Sequence, residues 1–442
     1  MVMAPVQLDF DLLLSVVVVV VSCLVIVRTF WSGGRKDGDQ VLPPSPPTLS
    51  IIGNLHQFGR SHTHRRLQEL AQRHGSLFLL RLVIRGVLSF HSRTAEEVLK
   101  TQDHVFCSRP PQHTVRGLFY DCRDVAFSPY GERWRQLRRI AVVRLLSAKR
   151  VDSFHALREE EVASFVERIR AAGAWPPVRT TTVESAESLT YTVISKAVFG
   201  SKLGGMDPGA FRAMVKETSD LLETITVTDM FPRATAPLDA VLEGALREHE
   251  KSSGNNGDAD DDDLLDNLLS AVLALGCGGG RRGFKPRQDR CEGTHPSGID
   301  TTYKMMEWTM AELVKNPKEM VKVQGVTNCG EHGSVTKEKL GRMTRLHAAV
   351  KEALRLHPPV PLLVPCEAIH DTKLHGYNIP AKTWVLINAW AIGRDNESWE
   401  NADTFSTERF VHNAFDYSGN KDFRLIPFDD GGRGCLALAL GI

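Results

Sequence analysis

The chain has 442 residues, of which 42% are hydrophobic, with 54 Lys and Arg against 53 Asp and Glu. Charges that nearly cancel provide no basic field for a nucleic-acid partner. The 8 cysteines are scattered without a C-x-x-C pair, which excludes a zinc ribbon or a disulfide framework and suits a reduced, cytosol-facing body.

The first predicted element is apolar. Leu12 to Val27 carries only Ser15 and Ser22 as polar residues, and as a helix it reaches roughly 24 Å of a ~30 Å hydrocarbon core. Phe10, Arg28, Phe30 and Trp31 extend the span by interfacial anchoring. Asp9 and Asp11 precede it while Arg28, Arg35 and Lys36 follow, so the positive-inside rule puts the C-terminal side in the cytosol. A basic leader region and a small-residue cleavage site are both missing before Gly33. Residues 1–31 therefore read as a single-pass N-terminal membrane anchor, and residues 32–60 as a linker stiffened by Pro43, Pro44, Pro46 and Pro47.

Residues 61–442 carry no further linker and read as one domain, mainly α with a small β region. Arg65 to His74 predicts an amphipathic helix, then Leu77 to Leu82 and Val87 to Phe90 predict short strands. Further helices are predicted over Leu157–Ala172, Leu189–Phe199 and Phe211–Ile225. The Asp-rich stretch Ser252 to Asp263 reads as a solvated loop. A helix begun at Asp300-Thr301-Thr302 continues through Trp308 to Lys315 and is ended by Asn316-Pro317.

Several spacings carry chemistry. Trp134 and Arg138 are four apart and share a helix face, as do Glu352 and Arg355 at i, i+3. Phe428-Asp429-Asp430-Gly431-Gly432-Arg433-Gly434-Cys435 reads F-x-x-G-x-R-x-C. Such a loop suits presentation of one thiolate to a haem iron: an anionic axial sulfur favours O–O cleavage, Gly431 permits close approach to a porphyrin, and Arg433 can pair with a propionate. The plainer alternative for Cys435 is a buried structural thiol.

Together with Glu352-Ala353-Leu354-Arg355, Phe405-Ser406-Thr407-Glu408-Arg409-Phe410 and Gly298-Ile299-Asp300-Thr301-Thr302, this loop makes the chain resemble a cytochrome P-450 of the plant microsomal A-type family. The resemblance runs from the proline-rich segment to Cys435. It implies haem b (iron protoporphyrin IX) ligated by Cys435, with Phe428 and Gly431 in the haem loop and propionates held by Trp134, Arg138 and Arg433. It further implies proton delivery by Thr301 with Asp300, and a structural network of Glu352, Arg355 and Arg409. Val360, Leu362 and Leu363 become substrate-pocket candidates. The implied activity is NADPH- and O2-dependent hydroxylation of a small lipophilic, plant secondary metabolite at the endoplasmic reticulum membrane. Electrons come from NADPH–cytochrome P-450 reductase, an acidic flavoprotein that Arg133, Arg135, Arg139, Lys149 and Arg150 would dock.

Departures from the family pattern set a second expectation. Thr407 replaces a proline, Ala437 a glycine, and Cys366 an arginine that meets a propionate; the chain near Phe231–Leu238 is short, and Ile442 follows the cysteine by only a few residues. Gly278 to Gly283, Pro286, Gly293 and Pro296 predict a break in the helix before Gly298. Ser297, Asp300 and Thr301 also read as helix N-caps. The domain is therefore expected to be incomplete at its C-terminus and locally degraded. The alternative function is a non-catalytic, membrane-tethered remnant with weak or no haem binding.

Overall fold

The structure, a computed structural model, describes residues 41–49, 52–58, 62–82, 85–90, 93–119, 121–172, 182–199, 216, 218–219, 295–326, 337–412 and 422–438. The expected anchor, the helix over 211–225, the Asp-rich loop and the Gly- and Pro-rich stretch up to residue 294 lie outside them, or almost entirely so.

A small sheet organises one end. Strands β1 (Leu77–Leu82) and β2 (Arg85–Phe90) form an antiparallel pair with Leu79 opposite Leu88. In the same sheet β3 (Cys366–Glu367) pairs antiparallel with β6 (Trp384–Ile387), and β6 runs parallel to β2. A separate hairpin joins β4 (Thr372–Leu374) to β5 (Tyr377–Ile379). Its two-residue turn, His375-Gly376, has φ of 49° and 84°, the left-handed values a tight hairpin turn requires.

The alternation of β1 explains why an almost wholly apolar strand is buried on both faces. Leu77 and Leu79 point into one core with Val98, Leu99, Val105 and Phe106, while Phe78, Leu80 and Leu82 point into another with Leu67, Ala71 and Trp384. Leu67 and Ala71 belong to α1 (Thr63–His74), the helix expected over Arg65–His74. The proline-rich segment from Val41 does not act as a free spacer: Pro43 and Pro46 are buried, Pro44 accepts from Leu79 N–H at 2.8 Å, and Asn54 Nδ2 donates to the Pro46 and Pro47 carbonyls at 3.3 and 3.1 Å. These bonds make residues 41–49 and 52–58 part of the folded body.

The rest is helical. Asp103–Phe106 forms the short α2, Glu132–Ile140 forms α3, His155–Ala172 forms α4 and Thr182–Phe199 forms α5. Helix α6 is continuous over His295–Lys315, so Asp300 and Thr301 sit in its second turn and not at an N-cap. Pro296 is tolerated because the first turn has no backbone bond for it to remove. Helices α7 (Pro317–Val326) and α8 (Thr344–Leu356) close a core of Leu313, Val323, Ala349, Ala353, Leu356 and Phe405.

Thr407, at the position where the family resemblance implies proline, is fully buried and ties the short α9 (Glu408–Val411) to α7. Its hydroxyl donates to Glu319 Oε2 at 2.5 Å and its N–H donates to the same oxygen at 3.1 Å. A proline could make neither bond. Burial works against the charged Glu319, but hydrogen bonds from Lys322 and Thr407 outweigh it and hold the carboxyl below its ordinary range. A depressed pKa contributes stability that is present above the ordinary value and lost as pH falls through the folded value. Thr407→Ala is expected to cost about 1.5–3 kcal/mol at neutral pH and to flatten the loss of stability on acidification below about pH 4.5; urea midpoints from pH 3 to 7 would check both.

Candidate functional site

The cysteine loop is stapled to the segment before it in space. Cys435 N–H donates to the Phe428 carbonyl at 2.9 Å, closing the loop around a 3₁₀ turn at Gly431–Arg433. Gly432 N–H donates to both Asp103 carboxylate oxygens at 3.1 Å. Gly431 has φ 67°, and a Cβ there would collide with the Leu99 carbonyl and lie 2.5 Å from Asp103 Oδ1. The glycine expected to admit a porphyrin thus serves the loop's approach to α2 and its preceding turn.

Cys435 is exposed, yet burial raises its thiol above the ordinary value. Both hold for a thiol that solvent reaches while protein packs around it. The backbone N–H of Ala437, the Arg138 charge and the backbone N–H of Leu438 oppose that rise, while the Asp429 charge adds to it. Amides aimed at sulfur favour a thiolate, and Ala437 supplies one without needing glycine at that position.

Around this sulfur the fold concentrates arginine. Arg433 is buried; its Nε donates to the Cys107 carbonyl at 2.6 Å and its Nη2 to the Ser128 carbonyl at 2.7 Å, but its buried Nη1 has no partner. Burial first, and then the neighbouring Arg109, push its pKa down to about 9. Arg138, half-buried on α3, donates to the Gly434 carbonyl at 2.9 Å. Trp134 gives its indole N–H to the Val125 carbonyl at 3.1 Å, so what it offers is its ring, with Arg433 at 4.0 Å and Arg138 at 5.6 Å from the centroid. The helical spacing of Trp134 and Arg138 therefore becomes a guanidinium scaffold and not a direct indole donor.

Arg109 was not singled out by any motif. It follows Ser108, whose carbonyl bridges to Glu367 of β3, and this pairing delivers it to the Cys366 position. Its Nη1 donates to the Val364 and Pro365 carbonyls and lies 3.0 Å from Cys366 Sγ, and its Nη2 faces Asp429 Oδ2 at 3.4 Å. The thiol that replaces the expected arginine is buried, with its pKa pushed up to about 11 by that burial, and a guanidinium from another segment stands beside it. Only the SRP spelling of Ser108-Arg109-Pro110 on a buried apolar flank could have drawn attention to it.

This donor set fits a haem. A buried guanidinium N–H lacking an acceptor, with two further arginines beside it, matches the carboxylate edge of a porphyrin, and an exposed thiol with amides on its sulfur suits an iron ligand.

On α6, Asp300 is buried and its carboxylate meets Lys304 at 2.7 Å. Burial and then the Asp300 charge raise the Tyr303 hydroxyl well above its ordinary value. Thr301, the adjacent residue, is half-buried. Of the pocket candidates, Leu363 is core at φ 50°, Leu362 packs on the second core, and Val360 is exposed.

The expected network of Glu352, Arg355 and Arg409 is assembled. Arg355 grips Glu352 with two bonds of 2.7 and 2.8 Å, both side chains being fully buried. Its remaining donors reach the carbonyls of Gly393, Ala402 (2.6 Å) and Thr404 (3.3 Å). Arg409 Nε donates to Glu352 Oε1 at 3.2 Å, as does Ser406 N–H at 2.9 Å.

The family model Cytochrome P-450 matches residues 43–441. Among similar proteins, Cytochrome P-450 736A117 of Prunus mume is 39% identical, covering 93% of this chain and 83% of its own length. Cytochrome P-450 71A1 of Persea americana is 42% identical over 88% and 82%. Phenylacetaldehyde oxime monooxygenase CYP71AN24 of Prunus mume is 37% identical over 93% and 81%. A solved zebrafish cytochrome P-450 with abiraterone superposes with a TM-score of 0.67 at 24% identity, covering 86% of this chain and 87% of that one, which establishes the fold.

Breaking the buried pair leaves an uncompensated charge, so Arg355→Ala is expected to lose about 3–5 kcal/mol, a large part of a domain's net stability. Arg409→Ala, which leaves the Arg355–Glu352 grip intact, should lose far less. Soluble yield and denaturant midpoints of the two variants test the order.

Proposed function

The chain belongs to the cytochrome P-450 monooxygenase family, and we propose that it hydroxylates a small lipophilic plant secondary metabolite, using O2 and electrons that reach it from NADPH through NADPH–cytochrome P-450 reductase. The observation that carries this reading is the buried, partnerless Nη1 of Arg433, two residues from the exposed thiol of Cys435: a desolvated N–H without an acceptor costs about 1–3 kcal/mol, which a propionate would relieve. The name of the oxime monooxygenase relative supports a small aromatic or lipophilic substrate.

When bound, haem supplies the activation of oxygen and its transfer to a C–H bond. The chain's own residues do the rest. Cys435, with the Ala437 and Leu438 amides on its sulfur, would be the residue that ligates the iron. Arg433, Arg138 and Arg109 would hold the propionates, the first two kept in place by the Trp134 ring. The Thr301 hydroxyl would pass protons toward oxygen, with Asp300, held by Lys304 at 2.7 Å, as the acid beside it.

Exposed Arg133, Arg135 and Arg139 on α3, with Lys149, offer a basic face for an acidic reductase. Arg135 is partly neutralised by Glu132 at 2.6 Å, which leaves Arg133, Arg139 and Lys149 as the stronger docking charges. Among the described residues no helix is long and apolar enough to cross a membrane. The anchor proposed for residues 1–31, placing the body on the cytosolic face of the endoplasmic reticulum, rests on the Leu12–Val27 run.

Carbon monoxide added to the reduced full-length protein should give the strongly red-shifted Soret band of a thiolate complex, and Cys435→Ala should abolish it. A chain that takes up no haem would instead be the non-catalytic remnant.

Thr301→Ala should keep haem and substrate difference spectra yet lower product formed per NADPH by roughly tenfold or more, a loss typical of removing a positioned proton donor. An unchanged ratio would mean that Thr301 only shapes the helix.

A further inference from the structure

Asp429 stands at a backbone position that few side chains accept. Its φ is 61°, in the left-handed region, where Asp and Asn are the usual tolerated alternatives to glycine. Its Oδ1 accepts from the Asp430 N–H at 2.9 Å, which stabilises that turn locally. Its Oδ2 lies 3.4 Å from Arg109 Nη2, and the two side chains are 10% and 4% exposed.

Arg109, Arg138 and Arg433 otherwise donate to carbonyls and, from Arg109, to the Cys366 thiol, groups that satisfy hydrogen bonds but carry no net charge. Among the described residues, Asp429 is the only carboxylate ion-paired with any of them. In so desolvated a place its charge is felt at a distance: it raises the thiols of Cys435 and Cys366 and favours the charged form of Arg138.

Resting on the haem-thiolate reading above, we propose that Asp429 is a positioning residue that sets the electron affinity of the site. Its carboxylate offsets the charge of Arg109 and so lowers the net positive charge that the three arginines bring to the cysteine loop. Less positive charge beside an iron favours the oxidised form, so the bound iron is harder to reduce than it would be with a neutral residue at 429. The ion pair also ties the loop to the Val364–Cys366 segment that Arg109 grips, so the charge and the loop position are set together.

The test is a potentiometric titration of the haem-loaded full-length protein, followed at the Soret band. In Asp429→Asn, which keeps size and tolerance for positive φ, the ratio of reduced to oxidised iron at a fixed potential should rise about tenfold, equivalent to ~59 mV for one electron. Asp429→Gly, which relaxes the backbone as well, should move it in the same direction and decides the matter if the Asn variant does not fold. Asp422→Asn, whose carboxylate pairs with Arg424 instead, should leave the ratio unchanged. Haem-bound Asp429 variants with the wild-type potential would overturn the inference while sparing the haem assignment. A wild-type chain without thiolate-ligated haem would overturn the assignment and the inference together.

Discussion

Buried positive charge is the constraint on which the site depends. A guanidinium moved out of water must find acceptors for five N–H groups and some compensation for its charge. Around Cys435 the fold meets the first need with backbone carbonyls from residues 107, 126, 128, 364, 365 and 434, brought from segments far apart in sequence. It meets the second only in part, through Asp429. The remaining demand for anionic oxygen, expressed at Arg433 Nη1, is what suits this cluster to a carboxylate-bearing cofactor and not simply to a polar interior.

A second buried charge cluster joins α8 to the segment 393–409. Glu352 and Arg355 are inaccessible to solvent, and every described bond they make reaches α8 itself or the segment 393–409. Such a pair is weak support for stability when weighed against apolar packing, but it is unforgiving of misplacement because either charge alone is costly. It therefore fixes the path of residues 393–409 against α8. Thr407, bonded twice to Glu319, extends the same clamp to α7.

The departures from the family spelling are absorbed by neighbours in space. Arg109 stands where Cys366 provides no charge, the Ala437 amide serves the sulfur, and Thr407 replaces the rigidity of a proline with two hydrogen bonds. The helix through Asp300 and Thr301 is continuous from His295 because a proline in a first turn removes no helical bond.

Local periodicity made much of the architecture legible in the sequence: the strands over Leu77–Leu82 and Val87–Phe90, the helices around Trp134, Glu352 and Trp308, and the F-x-x-G-x-R-x-C loop all follow from interactions within a few residues. The same locality limited the reading. Asp300 and Thr301 spell a helix cap, and only the tertiary fold places them inside α6. Gly431 spells room for a ligand, and only the packing of Leu99 and Asp103 shows whose approach it permits. Arg109 and Asp429 are separated by 320 residues, and nothing in either neighbourhood announces their pairing. Charge compensation in a low-dielectric interior acts through space and is blind to sequence distance, so it was decided by the tertiary structure alone.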